Sequence, residues 1–288
     1  MKKILLLFLL CLSLTACGGG VKTDVGGIKT GTIGEDTPIK RAQAAKMLAL
    51  SVYDLETVEN MERKIIFEDT SADKPEDKYI NAAFAAGLIS GADETHFEPE
   101  AYLSLEQAQF LLNKLDKTGT LKLQFNREDR KKPISASMWT EVFERVCELN
   151  GNTNISGCNI ITFATGENCS ALGDRFIMTD RGLLSSECCI PDGSDYTDCT
   201  VSVLLRDKEI LAYKEVVNTT PSVMGAVVKS SDENGATLDL GGVERYFYTE
   251  NAKTLKEGES VSFKYSGSTI TELESGITAA EGVSIAQQ

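Results

Sequence analysis

Residues 39–48, IKRAQAAKML, recur 64 positions later as LSLEQAQFLL at 103–112, with Gln43 over Gln107, Ala44 over Ala108 and Leu48 over Leu112. This repeat constrains the fold more than any other feature of the chain. Each copy is one amphipathic helix that cannot bury its apolar face alone, so the copies must pack on each other and on whatever lies between them. The second copy carries its own start signal: Ser104 and Gln107 form a capping box, Leu103 stands in the staple position, and Leu105, Ala108, Leu112 and Leu115 share a face. The first copy begins with Thr37 as cap and Pro38 at the first helical position, and Ala42, Ala45, Leu48, Val52 and Leu55 form its apolar stripe. Between the copies, Tyr79, Ile80, Ala83 and Phe84 recur at helical spacing, and Gly87 supplies a left-handed end with Leu88 folding back on the last turn.

The intervening residues carry more specific motifs. Phe67 and Asp69 form an F-x-D opening, residues 79–91 read YINAAFAAGLISG, and Phe97-Glu98-Pro99 makes an F-x-P turn. Together with the paired helices, this pattern resembles S-layer homology repeats over about residues 37–118. The resemblance implies a small all-helical domain that attaches exported bacterial proteins to secondary cell-wall polysaccharide. It also implies a wall-polymer-binding site at Arg41, Lys40 and Asp69. The binding helix of the family begins Thr-Arg-Ala-Glu, whereas this chain has Lys40-Arg41-Ala42-Gln43 and Ser104-Leu105-Glu106-Gln107, so only Arg41 keeps the cation. One complete repeat and the last helix of a preceding one are recognisable, where strongly anchoring members carry three. Asp69 serves either as a turn cap or as a ligand contact. Lys40, Arg41 and Lys46 are either a local polymer site or a solvated helix face.

The N-terminus addresses the chain to the envelope. Lys2 and Lys3 precede an apolar run at 4–12 that is too short to span a bilayer. Leu14-Thr15-Ala16-Cys17 resembles a bacterial lipobox, which implies a signal peptide at 1–16, acylation of Cys17 and a membrane anchor; the alternative is an ordinary secretory signal with a chance cysteine. Buried acyl chains contribute about 0.8 kcal/mol per methylene. Residues 17–36, rich in Gly and Thr, read as a lipidated flexible tether reaching at most about 60 Å. The net charge of −14 includes the two signal lysines. Such an acidic body argues against nucleic acid and against a polybasic membrane surface.

Texture changes after Gly119. Residues 119–132 read as a charged linker, 133–220 as a cysteine-containing α+β domain, 221–275 as a small β-barrel-like module, and 276–288 as a flexible tail. A helix at 137–149 carries Met138, Val142, Phe143 and Val146, with Trp139 in the core. Strands are expected at 159–165, 200–205 and 210–217, then at 223–229, 236–240, 243–248, 260–265 and 269–273, the last five forming a small barrel or sandwich. Met178-Thr179-Asp180-Arg181-Gly182, followed by strand pairs and by the G-G-V-E-R-x-F run at 241–247, is similar to the accessory region of sporulation protein D-like wall hydrolases. That likeness implies a wall-associated, non-catalytic role. The whole is an α+β multidomain chain, a small helical domain followed by a β-rich one.

Six cysteines remain in the body, Cys147, Cys158, Cys169, Cys188, Cys189 and Cys199. In an exported protein they read as candidate disulfides, with fifteen possible complete pairings. No C-x-x-C spacing occurs and His96 lies in another domain, so no metal site is expected. Adjacent Cys188 and Cys189 read alternatively as a redox pair. A single histidine and the lack of a Gly-rich phosphate loop point away from catalysis and from a cofactor. Two functions fit: an extracytoplasmic lipoprotein of a Gram-positive type cell surface that ties membrane to wall polymer, or an envelope protein whose helical module is a spacer while its β-rich half binds a protein partner. A third reading is an accessory to, or remnant of, a peptidoglycan-processing enzyme.

Overall fold

The computed structural model describes residues 31–63, 67–165, 172–173, 175–189 and 196–274. Among the described residues a two-residue strand at Gly31–Thr32 is followed by five α-helices: α1 (Arg41–Val52), α2 (Leu55–Asn60), α3 (Asp77–Ala85), α4 (Leu105–Leu115) and α5 (Ala136–Leu149). The start of α4 and the end of α3 follow the sequence signals closely. In α4, Gln107 N–H donates to Ser104 Oγ (3.2 Å) and Ser104 N–H to Gln107 Oε1 (3.0 Å), the expected reciprocal box. After α3, Gly87 adopts φ +71°, its N–H reaches Phe84 O (2.8 Å), and Leu88 N–H reaches Ala83 O (3.0 Å). That pair of bonds satisfies the last carbonyls of the helix.

The start of α1 differs from expectation. The cap is Lys40, whose N–H donates to Gln43 Oε1 at 2.9 Å, and not Thr37. Pro38 lies in an extended bridge to Ser135, and Thr37 O accepts the N–H of Ala136, so the lead-in is used in lateral pairing before the helix begins. Leu55 does not extend the α1 stripe either, because the chain breaks at Tyr53 and Asp54 caps α2 through Thr57 N–H (2.7 Å).

This lateral pairing organises the helical half. Ile39 N–H donates to Ile134 O (3.2 Å), Ile134 N–H to Leu103 O (2.9 Å), and Leu103 N–H to Ile39 O (2.9 Å), a closed ring of three bonds. One step along, Arg41, Leu105 and Ala136 donate to Ala101, Lys132 and Thr37, and Ala42, Glu106 and Ser137 donate to Pro99, Arg130 and Gly34. Thus α1, α4 and α5 are related by a pseudo-threefold axis, and α5 is a third copy of the repeated helix start that the sequence comparison of two copies did not reveal. Residues 119–132 are correspondingly not a free linker. They supply the third lead-in, with Leu121 and Leu123 packed on the helical core. In space α5 belongs with the helices, since Ala136, Trp139, Phe143 and Val146 share a core with Leu48, Tyr79 and Leu112. Gly34 is needed here: at φ +78° a Cβ would sit 2.9 Å from Ala136 Cβ.

The β-rich half contains two closed arrangements. The first uses β1 (Gly31–Thr32), β2 (Ser156–Ala164), β3 (Phe176–Thr179), β4 (Gly182–Ser185), β5 (Cys199–Arg206) and β6 (Glu209–Asn218). Their order is β1-β6-β4-β3-β2-β5, and β5 also pairs with β6, so the sheet closes on itself. Its strands expected at 159–165, 200–205 and 210–217 are present, while the short β3–β4 hairpin lacked an alternating run long enough to read. The end of the expected tether, residues 31–33, is part of this body: Thr32 pairs with Glu215, and Ile33 is buried with its N–H on Lys214 O (2.8 Å).

The second arrangement is a closed five-stranded barrel of β7 (Ser222–Ser231), β8 (Gly235–Asp239), β9 (Glu244–Tyr248), β10 (Ser260–Ser266) and β11 (Thr269–Glu274). The expected barrel-or-sandwich module is therefore a barrel. Phe247, Phe263 and Tyr265 fill it at centroid separations of 5.1 to 6.0 Å. Arg245, from the G-G-V-E-R-x-F run, joins it to the sheet by donating to Asp198 Oδ2 (3.1 Å) and Gly267 O (2.9 Å). Likewise Leu204, Leu211 and Ala212 of β5 and β6 enter the helical core.

Candidate functional site

The residues implied by the S-layer resemblance come together, but in positioning roles. Asp69 accepts the N–H groups of Phe97 (2.8 Å) and Glu98 (2.6 Å), holding the F-x-P turn in a conformation that puts Glu98 at φ +58°. Arg41 then reaches under that turn. Its Nε donates to Phe97 O and its Nη2 to Ser90 O, both at 2.8 Å, and its guanidinium lies 4.6 Å from the Phe97 ring centroid. Only 5% of Arg41 is exposed. Burial lowers its pKa, against the opposing charges of Glu98 and Asp69. Gly91 completes the knot, because a Cβ there would lie 2.4 Å from Asp93 O and 2.7 Å from Phe67 Cε1. Arg41 and Asp69 therefore fasten the GLISG loop to the F-x-P turn. Asp69 and Lys40 both reach solvent, Lys40 in a pair with Glu100 at 2.5 Å, and that hydrogen bond raises its pKa.

Lys46 is not on a solvated face. It is fully buried at the junction of helices and sheet, 2.8 Å from Glu209 Oε2, and donates to the backbone carbonyl of Glu187. Glu209 also accepts from Ser185 Oγ (3.0 Å) and Tyr79 Oη (3.3 Å). Glu187 pairs with Arg175 (2.8 Å) and Lys78 (3.2 Å). Glu187 lies 141 residues from Lys46 and Glu209 lies 130 from Tyr79, so no local pattern announced them.

Two open grooves flank α4 and α5. The first, about 540 Å³, lies between α4 and the third lead-in and is lined by Gln109, Phe110, Asn113, Phe125, Arg127 and Arg130 together with Glu106. Phe110 is half-exposed, and neither arginine side chain has an ion pair among the described residues. Lys114 Nζ lies 4.7 Å from the Phe110 ring centroid, and this cation with the two guanidinium groups beside aromatic rings suits a ligand carrying an acidic substituent. The second groove, about 590 Å³, lies between α5 and the sheet and is acidic, with Glu35, Glu141, Glu144 and Glu215 around Lys214. Reasoning from the sequence missed Phe110, Phe125, Arg127 and Arg130 because the lead-in that carries the last three was read as a linker.

The expected disulfide cluster does not form among the described residues: Cys147, Cys158, Cys188 and Cys199 are free thiols. They are distributed over α5, β2, a turn and β5, and three of them sit among apolar side chains as small core residues. Burial pushes the Cys147 and Cys188 thiols up to about 12 and Cys199 up to about 11, which opposes the redox-pair reading for Cys188. Cys169 and the acylation position Cys17 lie outside the described residues. Among the described residues no group of three or more His, Cys, Asp and Glu side chains is placed to hold a metal ion, and no helix is long and apolar enough to cross a membrane.

No curated protein shows significant similarity to the chain. A family profile does match, and it covers α3, the GLISG loop, the F-x-P turn and the first turn of α4. That profile is the S-layer homology domain, matched over residues 66–108, and the chain accordingly carries an S-layer homology domain, a module of cell-envelope and cell-surface proteins.

Proposed function

We propose that the protein is a non-catalytic lipoprotein of the cell envelope, held to the membrane through Cys17, whose helical module binds an acidic cell-wall polysaccharide. The S-layer homology match at residues 66–108 carries this reading. The α4 groove is its contact surface, with Phe110 and Phe125 stacking on sugar rings and Arg127 and Arg130 meeting acidic substituents. Arg41 and Asp69 support the reading indirectly, by fixing the turn that shapes the module, and Lys40, paired with Glu100 beside that turn, adds a solvent-facing cation.

The test is co-sedimentation of the full chain, carrying Cys17→Ser to keep it out of membranes, with purified walls before and after removal of their secondary polymers. Binding that disappears with the polymer, and that falls at least roughly tenfold in the Arg127→Ala/Arg130→Ala variant, about 1.4 kcal/mol, supports the proposal. Equal sedimentation with stripped walls overturns it. The burial of Arg41 favours a second reading, in which the module is a spacer and the β-rich half engages an envelope protein. Under that reading neither wall preparation retains the chain.

A further inference from the structure

The pseudo-threefold axis makes Lys46, Phe110 and Glu141 equivalent positions on α1, α4 and α5, and Gln43, Gln107 and Met138 likewise. On α4 and α5 this face lines an open groove. On α1 the same face is covered by the turn after β4, residues 186–189. Gln43 Nε2 donates to Cys189 O (2.9 Å) and Lys46 to Glu187 O. The Glu187 side chain is 6% exposed, with one carboxylate oxygen 2.8 Å from Arg175 Nε and the other 3.2 Å from Lys78 Nζ. Arg175 is 61% exposed and Lys78 24%, so the two cations form a rim open to solvent, whereas Lys46 and Glu209 form a closed floor. The turn reaches this position with Cys188 at φ +52°, a backbone conformation that a non-glycine residue adopts only where its surroundings hold it.

We propose that the α1 groove is a carboxylate-binding site occupied by the protein's own Glu187, a tethered internal ligand that closes the first of three equivalent grooves and leaves the α4 groove open. The cations that would receive a free carboxylate, Lys78 and Arg175, are the two that grip Glu187. Lys46 keeps the Glu209 partner beneath them, so removing the Glu187 side chain frees Arg175 and leaves Lys78 with Glu59 alone (3.3 Å), without leaving Lys46 unpaired. This site is independent of wall binding: it concerns a different helix and needs no glycan.

The experiment is rescue of the full chain carrying Glu187→Ala by acetate. The variant melts lower than the parent, and 100 mM acetate restores about half of the lost melting temperature through binding to the native state, while chloride at the same ionic strength does not. The parent shows no acetate-specific shift, and neither does the Glu187→Ala/Lys78→Met double variant. Equal effects of acetate and chloride on Glu187→Ala, or equal rescue of the double variant, would overturn the assignment. Should Glu187→Ala not fold, Arg175→Ala at the exposed rim serves instead. Loss of its grip raises amide exchange at residues 186–189 about tenfold, and unchanged exchange there overturns the proposal.

Discussion

Replacing Arg41 by alanine tests the positioning role directly. The side chain is 5% exposed and makes two hydrogen bonds of 2.8 Å to the carbonyls of Phe97 and Ser90. A bond from a charged donor contributes about 1.5–3 kcal/mol, and removing the donor leaves the buried Phe97 carbonyl short of a partner, while the carbonyl of the exposed Ser90 can turn to water. Stacking on Phe97 is lost as well. We therefore expect Arg41→Ala to cost about 3–4 kcal/mol, or about 6–16 °C in melting temperature for a chain of this size. Arg41→Lys, with one ammonium for two diverging carbonyls, should recover roughly half. Urea unfolding followed by circular dichroism measures the change, and wall sedimentation well below the transition separates it from binding. A loss under about 1 kcal/mol, or wall binding abolished while the fold remains intact, would refute the reasoning and return Arg41 to the role of ligand contact.

Three further outcomes follow from buried and capped groups. Lys46→Met leaves Glu209 without its cation and should cost about 3–5 kcal/mol, whereas adding Glu209→Gln should cost less than the sum of the two; urea titrations that add within about 0.5 kcal/mol would deny the coupling. Cys147, Cys188 and Cys199 should resist iodoacetamide at pH 8 in the native protein and react once urea unfolds it, and rapid native labelling of Cys188 would contradict the burial that pushes its pKa up. For Asp116, burial raises the pKa, but hydrogen bonds from Leu121 and Thr118 outweigh it and hold the carboxyl down at about 2. Its folded pKa lies below the unfolded value near 3.9, so its stabilisation is present above that pH and lost as pH falls toward 2. Asp116→Asn should flatten the acid limb of the stability curve between pH 4 and 2, and an unchanged limb would count against the capping role.

Much of the architecture was legible because it is written in local patterns. The box at Ser104 and Gln107, the glycine end at Gly87, and the alternation in β5 to β11 depend on residues within a few positions of one another. The third copy of the helix start was not legible. It keeps only Ile134 and Ser135 of the pattern, and what relates it to the others is backbone hydrogen bonding, which leaves no mark on side-chain identity. The site residues divide in the same way. Asp69 as a cap could be read from its motif, whereas the burial of Arg41 and Lys46 depends on loops and strands 49 or more residues away. A lysine at a helical surface position gives no sign of the two glutamates that cover it.

The ring joining Ile39, Leu103 and Ile134 also sets the order in which the chain can mature. None of its three bonds forms between neighbours: the spans are 64, 31 and 95 residues, and the last is closed only by the segment that begins α5. Closure entropy grows slowly with span, by about 0.6 kcal/mol per doubling, so the long span adds little once the short one exists. In the order of synthesis, the matched domain at 66–108 emerges complete yet lacks its third side until residue 134 has followed. The helical half therefore commits late and as a unit, and a chain cut between α4 and α5 would release a module whose first and second copies face an empty seat.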